Sequence, residues 1–125
     1  MKNIAITIID DDSTARSLLS SILRVEGYTN VQAFPDGHAA LQTLDGIRSG
    51  LIFLDIEMPR EDGFTLLSRI KEACPECFVI MVSAHTSIDN VKKAMELGAS
   101  SFIAKPYRIG KVHDAMARYQ SPSNE

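Results

Sequence analysis

The chain alternates short apolar runs with amphipathic helical stretches five times, and few folds accept that pattern. Residues 3–9 are apolar and β-branched, as a strand buried on both faces requires. Similar runs follow at Val31–Phe34, Leu51–Leu54 and Phe78–Val82, with a weaker one at Ser101–Ala104. They recur at intervals of roughly 25 residues, the spacing of a strand plus a helix. Helical faces fill the gaps. Ala15, Leu18, Leu19, Ile22 and Leu23 share one face before a stop at Gly27. Asp36-Gly37 opens a second helix carrying Ala40, Leu41 and Leu44, and Gly63 precedes a third marked by Phe64, Leu67 and Ile70. Val91, Ala94, Met95 and Leu97 mark a fourth that ends at Gly98; Val112, Ala115, Met116 and Tyr119 mark a fifth. Alternating β and α elements imply an α/β fold, a parallel sheet with helices on both faces. Right-handed crossovers then leave few topologies.

Size and charge narrow the function. A chain of 125 residues is about one domain, with no room for a separate substrate domain. Residues 1–120 read as that domain, and 121–125 as a disordered tail or the start of a linker. Thirteen basic against 16 acidic residues give a net charge of −3. This argues against direct nucleic-acid or polybasic membrane binding. No apolar run reaches the ~18 residues of a membrane span, and no signal peptide precedes the first strand, so a cytoplasmic location is expected. The charge is unevenly spread. Residues 1–84 hold 7 basic and 12 acidic side chains, whereas residues 85–118 hold 6 basic and 3 acidic ones.

In open α/β sheets the site lies beyond the carboxyl ends of the strands. Here the first strand ends at Asp10-Asp11, the third at Asp55, the fourth at Ser83 and the fifth at Lys105-Pro106. A single Asp after a strand is usually a helix cap. Convergence from four strands is a stronger signal. Three close carboxylates stay ionised together only if a cation shares the space. An all-oxygen set favours a hard ion such as Mg²⁺. Lys105 offers a point charge for a phosphate oxygen and Ser83 a hydrogen bond. The set suits phosphoryl transfer, which depends mostly on positioning and charge neutralisation. A carboxylate can itself serve as the nucleophile.

These residues carry a resemblance. Ile8-Ile9-Asp10-Asp11-Asp12, Leu54-Asp55-Ile56-Glu57-Met58-Pro59 with Asp62-Gly63, Ser83-Ala84, Gly98-Ala99 and Lys105-Pro106 stand in order and at fitting spacings. Over residues 3–119 the chain resembles response-regulator receiver domains of the CheY-like superfamily. The resemblance implies a flavodoxin-like, doubly wound (βα)5 sandwich of three layers with strand order 2-1-3-4-5. It implies that Asp55 accepts a phosphoryl group from a histidine kinase or phosphotransfer protein. Mg²⁺ would be held by Asp11, Asp55 and the backbone carbonyl of Glu57, with Asp10 acting through water. Lys105 and Ser83 would contact the phosphoryl group. The Lys105–Pro106 bond is expected to be cis, an isomer essentially confined to proline. Asp12 matches no ligand of the family and is expected to cap the first helix.

The resemblance also implies a switch. Ser83 would move toward the phosphoryl group and Phe102 would turn inward behind it. Many relatives carry Tyr there, so in this chain the response would rest on packing alone. The output surface would be the fourth helix, fifth strand and fifth helix, meeting a downstream protein partner or a second copy in a phosphorylation-linked dimer. Lys92, Lys93, Lys105, Arg108, Lys111 and Arg118 lie in this basic region, read either as a solvated face or as a docking face for an acidic partner. Glu57 and His85 flank the site, either as ordinary loop residues or as tuners of acyl-phosphate lifetime.

Cys74-Pro75-Glu76-Cys77 is a C-x-x-C motif, but it lies where a helix gives way to a strand. That polarity is wrong for thiol activation, and no second pair completes a zinc site. The two are expected to be incidental cysteines. Three function classes remain to compare: a phosphorylatable switch, alone or as the receiver of a larger regulator; a phosphatase of the haloacid-dehalogenase type; and a flavin electron carrier. The phosphatase motif would carry a second Asp and lie near the N-terminus. The flavin carrier would need a hydroxyl- and Gly-rich phosphate loop where Asp10-Asp11-Asp12 stands. The expected activity is therefore that of a phosphoacceptor rather than an enzyme, with slow self-dephosphorylation at most.

Overall fold

The computed structural model describes residues 3–44 and 50–119. The proposed tail at 121–125 lies outside the described residues. The elements are β1 (Ile6–Ile9), α1 (Ser13–Val25), β2 (Val31–Phe34), α2 (Gly37–Leu44), β3 (Leu51–Asp55), β4 (Glu57–Met58), β5 (Glu61–Asp62), α3 (Gly63–Ala73), β6 (Phe78–Ser83), α4 (Ile88–Glu96), β7 (Ser101–Ala104) and α5 (Ile109–Ala117). The main sheet is parallel, in the order β2-β1-β3-β6-β7. These five strands follow the expected 2-1-3-4-5 arrangement.

Side chains alternate across the sheet and supply two cores. Ile6, Ile8, Leu51, Phe53, Ile80 and Val82 face α1 and α5, where they meet Leu19, Leu23, Val112 and Met116. Ile9, Ile52, Leu54, Val79 and Met81 face the other way, toward Ala40, Leu67, Ile70 and Ala94. Phe53 is 1% exposed. Burial of such a side chain contributes roughly 1.5–3 kcal/mol. Because β3 is buried on both faces, its five residues read as a continuous apolar run ending in one charge, Asp55.

Three local features differ from the expectation. β1 is shorter than residues 3–9, although the carbonyl of Ala5 still accepts a hydrogen bond from Leu51 N at 3.0 Å. A two-stranded antiparallel hairpin, β4–β5, follows Asp55 and pairs Glu57 with Asp62 and Met58 with Glu61. It carries Glu61 back to α2, where the carboxylate accepts from Gly37 N at 2.6 Å. The cysteines are not incidental: Cys74 and Cys77 form a disulfide, with their Cα atoms 5.4 Å apart. The turn between them brings this about, since Cys77 N donates to Cys74 O at 3.1 Å and folds the short loop on itself. Both cysteines are buried in the core beside α3.

Two glycines are required by geometry. A Cβ on Gly63 would lie 2.6 Å from Ile56 Cα, so α3 can begin this close to the end of β3 only without one. Gly98 has φ +104° and ends α4 in the left-handed region. Among the described residues, no helix is long and apolar enough to cross a membrane.

Candidate functional site

Each acidic residue reaches the sheet edge for a local reason. Asp10 follows the last residue of β1 and is 1% exposed. Its Oδ1 accepts from Asp12 N at 2.9 Å, and its carbonyl accepts from Arg16 Nη1 at 2.7 Å. Asp12 turns away and caps α1, accepting from Thr14 N at 3.0 Å. Asp11 is thereby left exposed beside the buried Asp10. Asp55 ends the central strand at 2% exposure, and its Oδ1 accepts from Glu57 N at 3.3 Å. Oxygens of Asp10, Asp11 and Asp55 all lie within 4.8 Å of one another.

Lys105, at the end of β7, enters this cluster. Its ammonium is 2.8 Å from Asp10 Oδ2 and donates to Asp55 Oδ2 at 3.2 Å. The Lys105–Pro106 peptide bond is cis. Burial opposes the ammonium charge. Hydrogen bonds and Coulomb attraction to Asp10 and Asp55 outweigh that, and the pKa of Lys105 is raised. Asp55 shifts the other way from most paired carboxylates. Burial first, and the Asp10 charge second, lift it from 3.8 to about 6 despite Lys105.

This electrostatic stress points to a cation. Asp10 Oδ2 is buried and meets the Lys105 ammonium at 2.8 Å, which leaves a lone pair of that oxygen open to a cation. Three clustered carboxylates, one of them with such an oxygen, fit a hard divalent ion such as Mg²⁺.

Ser83 ends β6 and is fully buried. Its hydroxyl donates to Glu57 Oε2 at 2.5 Å and accepts from His85 N at 2.8 Å. The other Glu57 oxygen accepts from Ala84 N at 3.1 Å. Phe102 on β7 is half-buried and packs against the α3–α4 core. It also lines an open cleft of about 480 Å³ with Thr86, Val91, Pro106, Arg108 and Lys111.

Asp10, Asp11, Asp55, Ser83, Glu57 and Lys105 are thus gathered at one edge of the sheet. The family model described as the response regulator receiver domain matches residues 6–117. The chain belongs to that family. Receiver domains are signalling modules of two-component systems. Relatives include sporulation initiation phosphotransferase F of Bacillus subtilis, 35% identical over 119 residues, which are 95% of each chain. The nitrogen assimilation regulator NtrX of Azorhizobium caulinodans is 38% identical across 86% of this chain, but this match spans only 24% of NtrX. Among solved structures, CheY of Borrelia burgdorferi in a complex with CheX, BeF3 and Mg²⁺ superposes with TM-score 0.82 at 32% identity, covering 90% of this chain and 86% of that one. Vibrio cholerae CheY4 reaches TM-score 0.86 at 22% identity, covering 94% of this chain and 99% of that one, a likeness of fold.

Two parts of this receiver site escape a reading of the sequence. Tyr107 is buried, and burial followed by the charges of Asp10, Asp55 and Asp12 pushes its phenol pKa upward, keeping it neutral beside the acids. Its position directly after Lys105-Pro106 was the available signal. The Glu57 side chain, expected either as an ordinary loop residue or as a tuner of acyl-phosphate lifetime, bridges to Ser83 and Ala84 across 26 and 27 residues of chain. No local pattern encodes that contact.

Proposed function

We propose that this receiver accepts one phosphoryl group on Asp55 from a phosphohistidine of a sensor kinase or phosphotransfer protein. The carrying observation is the buried Asp55 carboxylate at the end of the central strand, flanked by Asp10, Asp11 and Lys105. An Asp55 oxygen attacks phosphorus, the O–P bond forms, the N–P bond breaks, and the imidazole keeps the electron pair. Asp11, Asp55 and the Glu57 carbonyl would hold Mg²⁺, with Asp10 reaching it through water, and the ion when bound would supply charge neutralisation for the phosphoryl oxygens. Lys105 leaves its carboxylate partners to pair with the transferred group, and Ser83 hydrogen-bonds it. The Mg²⁺ in the Borrelia complex and the phosphotransferase in the Bacillus relative's name support this reading.

Residues 1–120 act as the receiver domain, in the cytoplasm, with no direct contact to nucleic acid or membrane. The domain stores the group stoichiometrically rather than turning over substrate. Phe102 moves inward with Ser83, and the α4–β7–α5 face then meets a downstream protein or a second copy of the chain. Incubation with Mg²⁺ and acetyl phosphate tests the chemistry. The expected product is an acid-stable, hydroxylamine-labile phosphoryl group that EDTA and Asp55→Asn both abolish. Label that persists in Asp55→Asn, or rapid continuous turnover of the donor, contradicts the proposal.

A further inference from the structure

A phosphoryl group on Asp55 needs hydrogen-bond donors, and the end of β6 holds two of them. They are the Ser83 hydroxyl and the Ala84 amide, one residue beyond β3's register partner Val82 and the next. Neither is free. Glu57 takes both, one carboxylate oxygen on each, at 2.5 Å and 3.1 Å. A carboxylate bound in this way presents two anionic oxygens to a hydroxyl and an amide, as two phosphoryl oxygens would. Glu57 is exposed on the short strand β4, whose other residue Met58 is the one that packs in the core, so the Glu57 side chain can leave into water without disturbing that core. Lys105 is likewise engaged, by Asp10 and Asp55.

We infer that the Glu57 carboxylate is a built-in stand-in for the phosphoryl group, which holds Ser83 and Ala84 in the unmodified arrangement and must be displaced before the switch can close. The inference rests on Asp55 being the phosphoacceptor. Glu57 is a positioning residue, acting through the two donors it occupies. Its effect is therefore on the equilibrium between the two arrangements. Charge-assisted hydrogen bonds to an exposed carboxylate are strong enough to matter and weak enough to be broken by a better-placed anion. A ligand that must displace an occupant binds more weakly by the fraction of sites left open.

Beryllofluoride with Mg²⁺, a probe for the phosphoryl position, tests this in the full chain by calorimetric titration. Glu57→Ala should bind the probe about tenfold more tightly than the wild type, equivalent to roughly 1.4 kcal/mol. Glu57→Gln should fall between the two. In a Ser83→Ala background the Glu57→Ala gain should shrink, because one of the two contested donors is gone and only the Ala84 amide is left to be released. A gain of equal size in both backgrounds would mean simple charge repulsion and would overturn the inference. A second readout needs no metal. The Ala84 amide proton resonance should shift on Glu57→Gln in metal-free protein, and an unmoved resonance also overturns it. Equal probe affinity in wild type and Glu57→Ala sinks the stand-in alone. Failure of every variant to bind the probe sinks the phosphoacceptor reading as well.

Discussion

Asp55 shows how much of this site is decided by one carboxyl group. Its pKa is raised from 3.8 to about 6 by burial and by Asp10, so the folded protein binds its proton more tightly than the unfolded chain does. That contribution to stability is complete below 3.8 and is lost as pH rises through about 6. The loss amounts to at most roughly 3 kcal/mol. Metal-free protein should therefore melt at a lower temperature above pH 6 than below it. Asp55→Asn should remove most of this difference and raise the neutral-pH Tm. Mg²⁺ should narrow the gap between the two proteins, because an ion bound only by the native carboxylates stabilises the wild type. Thermal denaturation with EDTA and with Mg²⁺ checks all three points. Lys105 provides the opposite case. Lys105→Ala leaves Asp10 and Asp55 facing each other without a cation. In EDTA it should destabilise the fold by roughly 1–3 kcal/mol, measured by urea denaturation.

The elements explain why these residues meet. Continuous apolar strands and the 3.6-residue helical faces are periodic over enough residues to be read directly. The strand ends then follow, which is why Asp10, Asp55, Ser83 and Lys105 were legible as one group. The β4–β5 hairpin was not, because two-residue strands are too short for any period to show. The Cys74–Cys77 bond escaped for a different reason. A C-x-x-C spacing does not say whether the turn between the cysteines brings their Cα atoms to 5.4 Å. Closing so short a loop removes little freedom from the unfolded chain. Reduction should lower stability by no more than about 2 kcal/mol and leave the protein folded, as monitored by circular dichroism with and without dithiothreitol. Disulfides are rare in cytosolic proteins, so the reduced, folded form is the one expected to operate in a cytoplasmic setting. Gly63 is less forgiving. Gly63→Ala drives a Cβ into the Ile56 backbone, and should destabilise by roughly 1–3 kcal/mol while moving the Glu57 loop.

Across the whole molecule, the uneven charge separates into two regions. The acidic excess gathers at the sheet edge around Asp10, Asp11 and Asp55. The basic excess over 85–118 is partly committed. Lys105 belongs to the site, and Lys93 lies 4.6 Å from the centroid of the Phe64 ring. Lys92, Arg108, Lys111 and Arg118 remain exposed on α4, α5 and their flanks. Arg108 and Lys111 border the cleft that Phe102 lines. A signal passing from Asp55 through Ser83 to Phe102 would reach this face. Amide resonances of α4, β7 and α5 should therefore move when beryllofluoride and Mg²⁺ are added, while those of α2 stay in place.

Transfer of the phosphoryl group from a phosphohistidine protein, with the modified residue located by peptide mapping, tests the central claim most directly. One phosphoryl group per chain on Asp55, formed only with Mg²⁺ and absent from Asp55→Asn, is the predicted result. A phosphoryl group on any other residue, or transfer undiminished in Asp55→Asn, would contradict it.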